Sequence, residues 1–318
     1  MKNLYPPLEP YAVHRIPVDH GHLLYVEECG NPSGLPVLFL HGGPGSGCKP
    51  HHRAFFDPQR YRAILLDQRG AGRSTPQGGL RANTTQHLLE DMEKLRLHLQ
   101  VERWLLFGGS WGAALALAYA QKHPDCVHGL ILRGSFLARS RDLAWFLADG
   151  AGRIYPEAWQ RLLDFLPPQG RRAPLKALYA MLTSKDQLAQ RRAARAWLQW
   201  SELVTLGEGH QGGPPSAEHV TLEQLHKTQI ELHYAVHRHF LAEQPLLDGC
   251  PAIAHLPCII IHGRDDRVCA PEAAFLLHRA LPDSELHVLP GVSHVADGEA
   301  MINALVDAAD RMAGRWAP

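Results

Sequence analysis

The stretch Phe107-Gly108-Gly109-Ser110-Trp111-Gly112 decides the fold of this chain. Residues 103–107 predict a short buried strand, and the alanine-rich residues 113–122 predict a helix that ends before His123-Pro124. The pattern Gly-x-Ser-x-Gly on a turn between a strand and a helix is typical of a nucleophile elbow. Flanking glycines relieve crowding around a strained serine, and the helix start points free N–H groups at it. Ser110 is therefore predicted to be a catalytic nucleophile.

The composition indicates a globular protein with no bias toward a charged partner. The chain has 318 residues, of which 45% are hydrophobic, and 32 basic residues balance 32 acidic ones. A zero net charge does not favour nucleic acid or an anionic membrane as the main partner. The first ten residues lack the apolar segment of a signal peptide, and no apolar run approaches the ~20 residues of a membrane span. The six cysteines lack C-x-x-C spacing. We therefore expect reduced thiols and a cytoplasmic protein without membrane segments.

Apolar runs that alternate with helical patterns predict an α/β fold. Helical periodicity is found at 85–100 and 299–312. Buried strands are predicted at residues 23–28, 36–41, 62–67, 129–133, 258–262 and 285–289. This alternation predicts a mostly parallel sheet with helices on both faces.

A long interruption of the alternation predicts an inserted helical cap. About 125 positions separate the strands at 129–133 and 258–262, although a crossover needs only a few tens of residues. The interval contains several helical patterns and is punctuated by Pro167-Pro168 and by residues 212–215 (GGPP). We predict a catalytic core at residues 1–136 and 247–318 and a helical cap domain at residues 137–246. The alternative is an elaborated loop without a role in substrate binding, but such caps usually form a wall of the pocket.

A glycine-rich loop, His41-Gly42-Gly43-Pro44-Gly45-Ser46-Gly47, follows the predicted strand at 36–41. Such a loop can bind phosphate, form an oxyanion hole or be a simple tight turn. The Lys-Ser/Thr of a phosphate-binding P-loop is absent, which disfavours a nucleotide site.

Two further residues complete a candidate triad. An activated serine needs a base, and the base needs an orienting acid. Asp266 follows one late strand and His294 follows the next, so the order Ser110, Asp266, His294 is that of an α/β-hydrolase. Asp265 is the adjacent alternative, but the spacing Gly263-x-x-Asp266 favours Asp266.

The remaining histidines do not predict a metal site. His262 and His287 belong to strands and are interpreted as packed side chains. The adjacent His51-His52 lacks a carboxylate at helical spacing, and no H-E-x-x-H motif occurs. We expect no metal and no cofactor.

Several motifs together resemble one known family, the proline iminopeptidases of the α/β-hydrolase superfamily. The stretches that carry the resemblance are LYPPLEPY (4–11), HGGPGSG (41–47), DQRGAGRS (67–74), NTT (83–85), GGSWG (108–112), LALAYAQKHP (115–124), LRG (132–134), HGRDD (262–266) and GVSH (291–294). The resemblance implies an α/β-hydrolase fold, with Ser110 as nucleophile, His294 as general base and Asp266 as orienting acid. It also implies an oxyanion hole formed by the backbone N–H groups of Gly43 and Trp111.

The resemblance further implies how a substrate amine is bound. The family binds the N-terminal imino group of proline with carboxylates of the cap, and residues 228–234 (TQIELHY) match the segment that bears one of them at Glu231. The second family carboxylate follows a W-x-x-W pattern. Here Ser201 holds its position and Glu202 is the next residue, which rotates a carboxylate on a helix by ~100°. The family's DQRG-Cys is DQRG-Ala71 in this chain, which predicts a changed sensitivity to thiol reagents.

Three functions follow from these features. The first is a serine aminopeptidase that releases N-terminal proline from small peptides through an acyl-enzyme. The second is a hydrolase of the same fold that acts on other amides or on esters with a repurposed cap. The third is a non-catalytic binding protein on a hydrolase scaffold, against which the complete triad argues.

Overall fold

The computed structural model describes residues 3–208, 219–243 and 245–316. Within these residues, eight strands form one sheet in the order β1-β2-β4-β3-β5-β6-β7-β8. The strands are Ala12–Pro17 (β1), Leu23–Gly30 (β2), Leu35–Leu40 (β3), Tyr61–Asp67 (β4), Trp104–Gly109 (β5), Val127–Arg133 (β6), Cys258–Gly263 (β7) and Glu285–Leu289 (β8). All strands from β3 to β8 pair in parallel, which confirms the predicted mostly parallel sheet.

One edge of the sheet is antiparallel, and the sequence analysis did not predict its outermost strand. β1 pairs with β2, and β2 pairs with β4, both in antiparallel register. Along β1 the side chains alternate between exposed and partly buried. This strand has no continuous apolar run because it lies at the edge, and one of its faces is in contact with solvent.

Helices cover both faces of the sheet. Helix α1 (Thr85–His98) and helix α2 (Trp111–Lys122) pack on one face together with α10 (Pro271–Ala280), and α11 (Glu299–Arg315) packs on the other face. Ten residues of α2 are buried, so this helix is covered on all sides. Its alanines suit that position because they allow close approach to the sheet.

A helical layer is inserted between β6 and β7, where the sequence predicts the cap. Its helices are Ser140–Phe146 (α3), Ala151–Ile154 (α4), Pro156–Phe165 (α5), Pro174–Leu182 (α6), Gln187–Leu206 (α7), Leu222–Val236 (α8) and Pro245–Asp248 (α9). Leu162, Leu178, Trp197 and Leu225 belong to a hydrophobic cluster separate from the two sheet-side clusters. The predicted breakpoint at residues 212–215 lies outside the described residues.

Helix α8 joins this layer to the sheet. Leu232 packs within the helical layer, whereas Ile230 and Tyr234 belong to the cluster that contains α1 and α2. His233 and Tyr234 also contact Asn83, through its backbone carbonyl and its side-chain oxygen respectively. None of the helices in the described part of the chain is long and apolar enough to cross a membrane.

Candidate active site

Ser110 lies on the tight turn between β5 and α2. Its backbone angles are φ 57° and ψ −120°, which a non-glycine residue adopts only under external constraint. Its backbone N–H donates to the carbonyl of Arg133 at 2.8 Å. A Cβ atom at Gly112 would overlap the backbone oxygen of Leu40, and a Cβ atom at Gly108 would overlap that of Gly112. The glycines therefore allow the turn to pack directly against β3.

The structure brings Asp266 and His294 together beside this turn. Nδ1 of His294 lies 2.7 Å from Oδ2 of Asp266, and both side chains are buried. The other carboxylate oxygen of Asp266 accepts the backbone N–H groups of Val268 and Cys269 at 2.9 and 2.8 Å. The neighbouring Asp265 is exposed. Asp266 is therefore held in a fixed orientation against the imidazole.

The surroundings of Asp266 favour its ionised form. Burial by itself raises the pKa of this carboxyl, but the charge and hydrogen bond of His294 and the N–H of Cys269 outweigh it. The pKa of Asp266 consequently lies below its ordinary value. A carboxylate in this state can fix the tautomer of His294 and stabilise its protonated form.

Arg133, at the end of β6, lies against the candidate triad, and the sequence analysis assigned it no role. Its Nη1 donates to the backbone carbonyl of His294 at 2.6 Å and lies 3.5 Å from Nε2 of the same residue. Burial lowers the pKa of this guanidinium.

Among the described residues, no hydrogen bond joins the Ser110 hydroxyl to His294. This is compatible with a catalytic pair, because catalytic hydrogen bonds often tighten only once substrate is bound.

The two candidate oxyanion donors belong to the elbow and to the glycine-rich loop. Trp111 is the first residue of α2, so its N–H has no acceptor within the helix. Gly43 has φ 113° and lines the same cavity as Ser110. Gln68 of the DQRG motif joins the start of the glycine-rich loop to the elbow, because its side chain donates to the carbonyl of His41 at 2.9 Å and accepts from the Trp111 indole at 3.0 Å.

A cavity of about 530 Å³ opens between the sheet and the inserted helices, with Ser110 and His294 on its wall. The helical layer supplies mostly apolar residues to the cavity and three carboxylates, Asp142, Glu202 and Glu231, of which Asp142 is ion-paired with Arg139 at 2.6 Å. Both residues predicted to bind an amine therefore line one cavity with the candidate nucleophile. Ser201, which holds the family's carboxylate position, lines the cavity as well.

Both oxygens of Glu231 have partners within the cavity wall. Trp197 Nε1 donates to Oε2 at 3.0 Å, and Lys227 Nζ lies 3.6 Å from Oε1. Lys227 also lines the cavity, and the sequence analysis did not single it out. Its position one helical turn before Glu231 could have identified it. A substrate amine at Glu231 would therefore compete with an ammonium group of the protein itself.

One group of possible metal ligands occurs among the described residues, away from this cavity. Asp19, His20 and His87 place three ligand atoms within 4.8 Å of one another. Asp19 is already ion-paired with the buried Arg69, whose charge opposes a bound cation. None of these residues lines the cavity that contains Ser110.

Comparison with known proteins agrees with this architecture. Residues 36–297 match the family model described as alpha/beta hydrolase fold. The chain resembles an esterase from Rhodococcus sp. ECU1013 with a TM-score of 0.62 and 18% identity over 98% of this chain and 100% of that one. It resembles an aryl esterase from Burkholderia cenocepacia, whose function is described as putative, with a TM-score of 0.63 and 18% identity over 96% and 100% of the two chains. At this identity the likeness concerns the fold alone.

Relatives in sequence are considerably closer. The chain is 46% identical to a protein named probable proline iminopeptidase from Leptolyngbya boryana, over 98% of this chain and 97% of the relative. It is 44% identical to proline iminopeptidases from Xanthomonas citri and Arabidopsis thaliana, over 98% of this chain and 100% and 82% of the relatives. Identity at this level over nearly the whole length shows that the chain belongs to the proline iminopeptidase family of α/β-hydrolases.

Proposed function

We propose that this protein is a serine aminopeptidase that releases N-terminal proline from small peptides through an acyl-enzyme. One observation carries the proposal. A strained Ser110 and His294, which is bonded to Asp266, line one cavity together with the carboxylates of Glu202 and Glu231. Family membership makes proline the expected first residue of the substrate.

The triad would perform the reaction in two halves. His294 removes the proton from the Ser110 hydroxyl as the oxygen attacks the prolyl carbonyl, and the N–H groups of Gly43 and Trp111 stabilise the oxyanion. His294 then gives that proton to the leaving amine, and proline stays esterified to Ser110. A water activated by His294 hydrolyses this ester. Asp266 orients the imidazole and stabilises its positive charge throughout.

Two cap carboxylates would select a free terminus. A protonated imino group at the first residue is an acceptable partner for Glu231 and Glu202, whereas an acylated nitrogen carries no charge and needs further space. We propose that residues 137–246 form the cap domain that closes this end of the pocket. The position of Glu202 on the cavity wall supports its role despite the displacement by one residue.

Substrate comparison tests the proposal. We expect kcat/KM for a prolyl arylamide to exceed that for an alanyl arylamide, and N-acetylation of the prolyl substrate to abolish turnover. Ser110→Ala should abolish turnover of all substrates. Equal rates for free and N-acetylated substrates would contradict an aminopeptidase.

A second candidate is a hydrolase of other amides or of esters, and the contact between Lys227 and Glu231 favours it. Because Lys227 already neutralises part of the Glu231 charge, the pocket could accept an uncharged group in place of an imino cation. A short-chain aryl ester that is cleaved with a higher kcat/KM than any prolyl arylamide would support this candidate over the first.

A further inference from the structure

His262 lies at the carboxyl end of β7, completely buried behind the candidate triad. The sequence analysis interpreted it as a packed side chain. In the structure it contacts two loops that meet at the active site. One follows β6 and contacts it at Ser135, and the other follows β7 and contacts it at Cys269 and Asp266.

The hydrogen bonds of His262 determine which ring nitrogen carries its proton. The backbone N–H of Ser135 lies 3.1 Å from Nδ1, and a backbone N–H can only donate, so Nδ1 must be the acceptor. The proton is therefore on Nε2, which donates to the carbonyl of Cys269 at 2.9 Å. The same Nε2 lies 3.4 Å from Oδ2 of Asp266, the oxygen that accepts from His294.

Burial favours the neutral form of His262. Burial lowers its pKa, and the positive charges of Arg133 and His294 act in the same direction, whereas Asp266 and the hydrogen bond to Cys269 oppose them. The resulting pKa lies below the ordinary value, which agrees with a single proton on Nε2. Among the described residues, Arg133, Asp266 and His294 are the charged groups that act on the ring.

We propose that His262 is a positioning residue, whose Nε2–H holds the turn from Asp266 to Cys269 so that the carboxylate orients His294. The inference rests on the triad proposed above. His262 would act through two contacts, the hydrogen bond to the Cys269 carbonyl and the close approach to Asp266 Oδ2. It contacts neither the substrate nor the reacting atoms.

Two substitutions of His262 separate this role from simple packing. His262→Leu introduces an apolar side chain of similar size and removes both ring nitrogens. His262→Gln restores an N–H donor near the position of Nε2. The rate at which a fluorophosphonate labels Ser110 is measured for both, because labelling needs the triad but does not depend on recognition of proline.

We expect His262→Leu to slow labelling about 10- to 100-fold, as a misplaced catalytic group does, and His262→Gln to recover most of this loss. The pH at half-maximal labelling should also rise in His262→Leu. Without the nearby N–H, Asp266 carries more uncompensated negative charge, which favours protonated His294 and so inactivates the base at higher pH.

His22→Leu is the matched control, since His22 is also buried and hydrogen-bonded to a carbonyl, but that carbonyl belongs to Arg81 and not to the loops that carry Asp266 and His294. We expect it to lower the unfolding temperature without slowing labelling. The proposal is overturned if Ser110 of His262→Leu is labelled at a rate within twofold of that of the unchanged protein, with an unchanged pH at half-maximal labelling. It is also overturned if the labelling rate falls as far in His262→Gln as in His262→Leu. Should His262→Leu fail to fold, His262→Asn, which keeps an acceptor near Nδ1 but no donor near Nε2, is tested by the same criteria.

Discussion

At the scale of single residues, Glu231 is the carboxylate that we propose to bind a charged terminus. Glu231→Gln keeps the shape of the side chain and removes its charge. A hydrogen bond to a charged group is worth about 1.5–3 kcal/mol, so kcat/KM for a prolyl arylamide should fall roughly 10- to 150-fold. Steady-state kinetics measure the loss. Turnover of an uncharged aryl ester should change little, because Ser110 and His294 are unaltered.

Glu202→Gln is the companion variant. A smaller loss than for Glu231→Gln would mean that its displacement by one residue weakens its contact with the substrate. An equal loss would mean that both carboxylates bind the imino group. If Glu231→Gln leaves kcat/KM for the prolyl arylamide unchanged while Ser110→Ala abolishes turnover, the serine-hydrolase mechanism is supported. The proposed binding of the imino group by Glu231 is then contradicted.

Lys227 provides a second test at the same carboxylate. Its ammonium contacts Glu231 across one helical turn, 3.6 Å away. A partly exposed ion pair of this kind is worth about 0.2–1 kcal/mol, so Lys227→Met should raise kcat/KM for prolyl arylamides by up to about fivefold. The gain should be absent in Glu231→Gln. A decrease in kcat/KM would show instead that Lys227 assists substrate binding.

Gly134 controls how closely β6 can approach the triad. Its φ is 53°, and a Cβ atom would lie 3.1 Å from Cε1 and 3.2 Å from Nδ1 of His294. Gly134→Ala should therefore shift the imidazole and lower kcat by about 10- to 100-fold. Gly21→Ala is the control, since Gly21 also has a positive φ but has open space around it. If both variants lose the same activity, backbone strain rather than contact with His294 is responsible.

At the scale of elements, helix α8 carries Glu231 and is tied to the core at Asn83. The hydroxyl of Tyr234 donates to Oδ1 of Asn83 at 2.9 Å, and the pair is buried. Tyr234→Phe leaves this oxygen without its donor, which should lower the free energy of unfolding by about 1–2 kcal/mol. Because the anchor also positions the helix, KM for a prolyl arylamide should rise a few fold.

Thermal unfolding and steady-state kinetics measure the two effects separately. Tyr61→Phe is the control, since it removes another buried hydroxyl, bonded to the carbonyl of Ala309 far from the cap. We expect it to lower the unfolding temperature and leave KM unchanged. An unchanged KM in Tyr234→Phe would show that α8 keeps its position without this hydrogen bond.

At the scale of the whole molecule, buried carboxylates make stability depend on pH. Burial opposes the charge of Asp67, but its hydrogen bond with Arg73 and the N–H of Cys48 outweigh this effect and hold its pKa below the ordinary value. The pKa of Glu27 is also lowered, because its ion pair and hydrogen bond with Arg53 contribute more than the opposing effect of burial. Groups with a depressed folded pKa stabilise the protein above their unfolded pKa of about 4, and this contribution is lost as pH falls through the folded value.

The free energy of unfolding should consequently be steady near neutral pH and decline below about pH 4. Asp67→Asn should lower the free energy of unfolding by about 2 kcal/mol at pH 7. This difference in free energy from the unchanged protein should become smaller as pH falls. Urea unfolding at pH 7 and pH 3.5 measures this (values chosen to lie on either side of about 4). The exposed Asp125→Asn should show no such narrowing. A cost for Asp67→Asn that is the same at both pH values would contradict the linkage.

Local sequence patterns were sufficient to predict much of this protein. Apolar runs predict the parallel strands from β3 to β7, because a strand covered on both faces must be continuously apolar. β8 is also predicted, although it lies at the other edge of the sheet and none of its residues is fully buried. The glycines of the elbow predict its tight turn. A Cβ atom at Gly112 would overlap the backbone of β3, and a Cβ atom at Gly108 would overlap the backbone of Gly112. The order of Ser110, Asp266 and His294 follows from strand ends that meet at one edge of a parallel sheet.

Only the tertiary structure decided the remaining features. The edge strand β1 carries no continuous apolar run, so its sequence does not indicate that it is a strand or that it pairs with β2. The contacts of Arg133 with His294, of Lys227 with Glu231, and of His262 with Asp266 are made by side chains whose types are compatible with many roles. Their roles depend on distances between elements, and those distances are set by how the helices and strands pack.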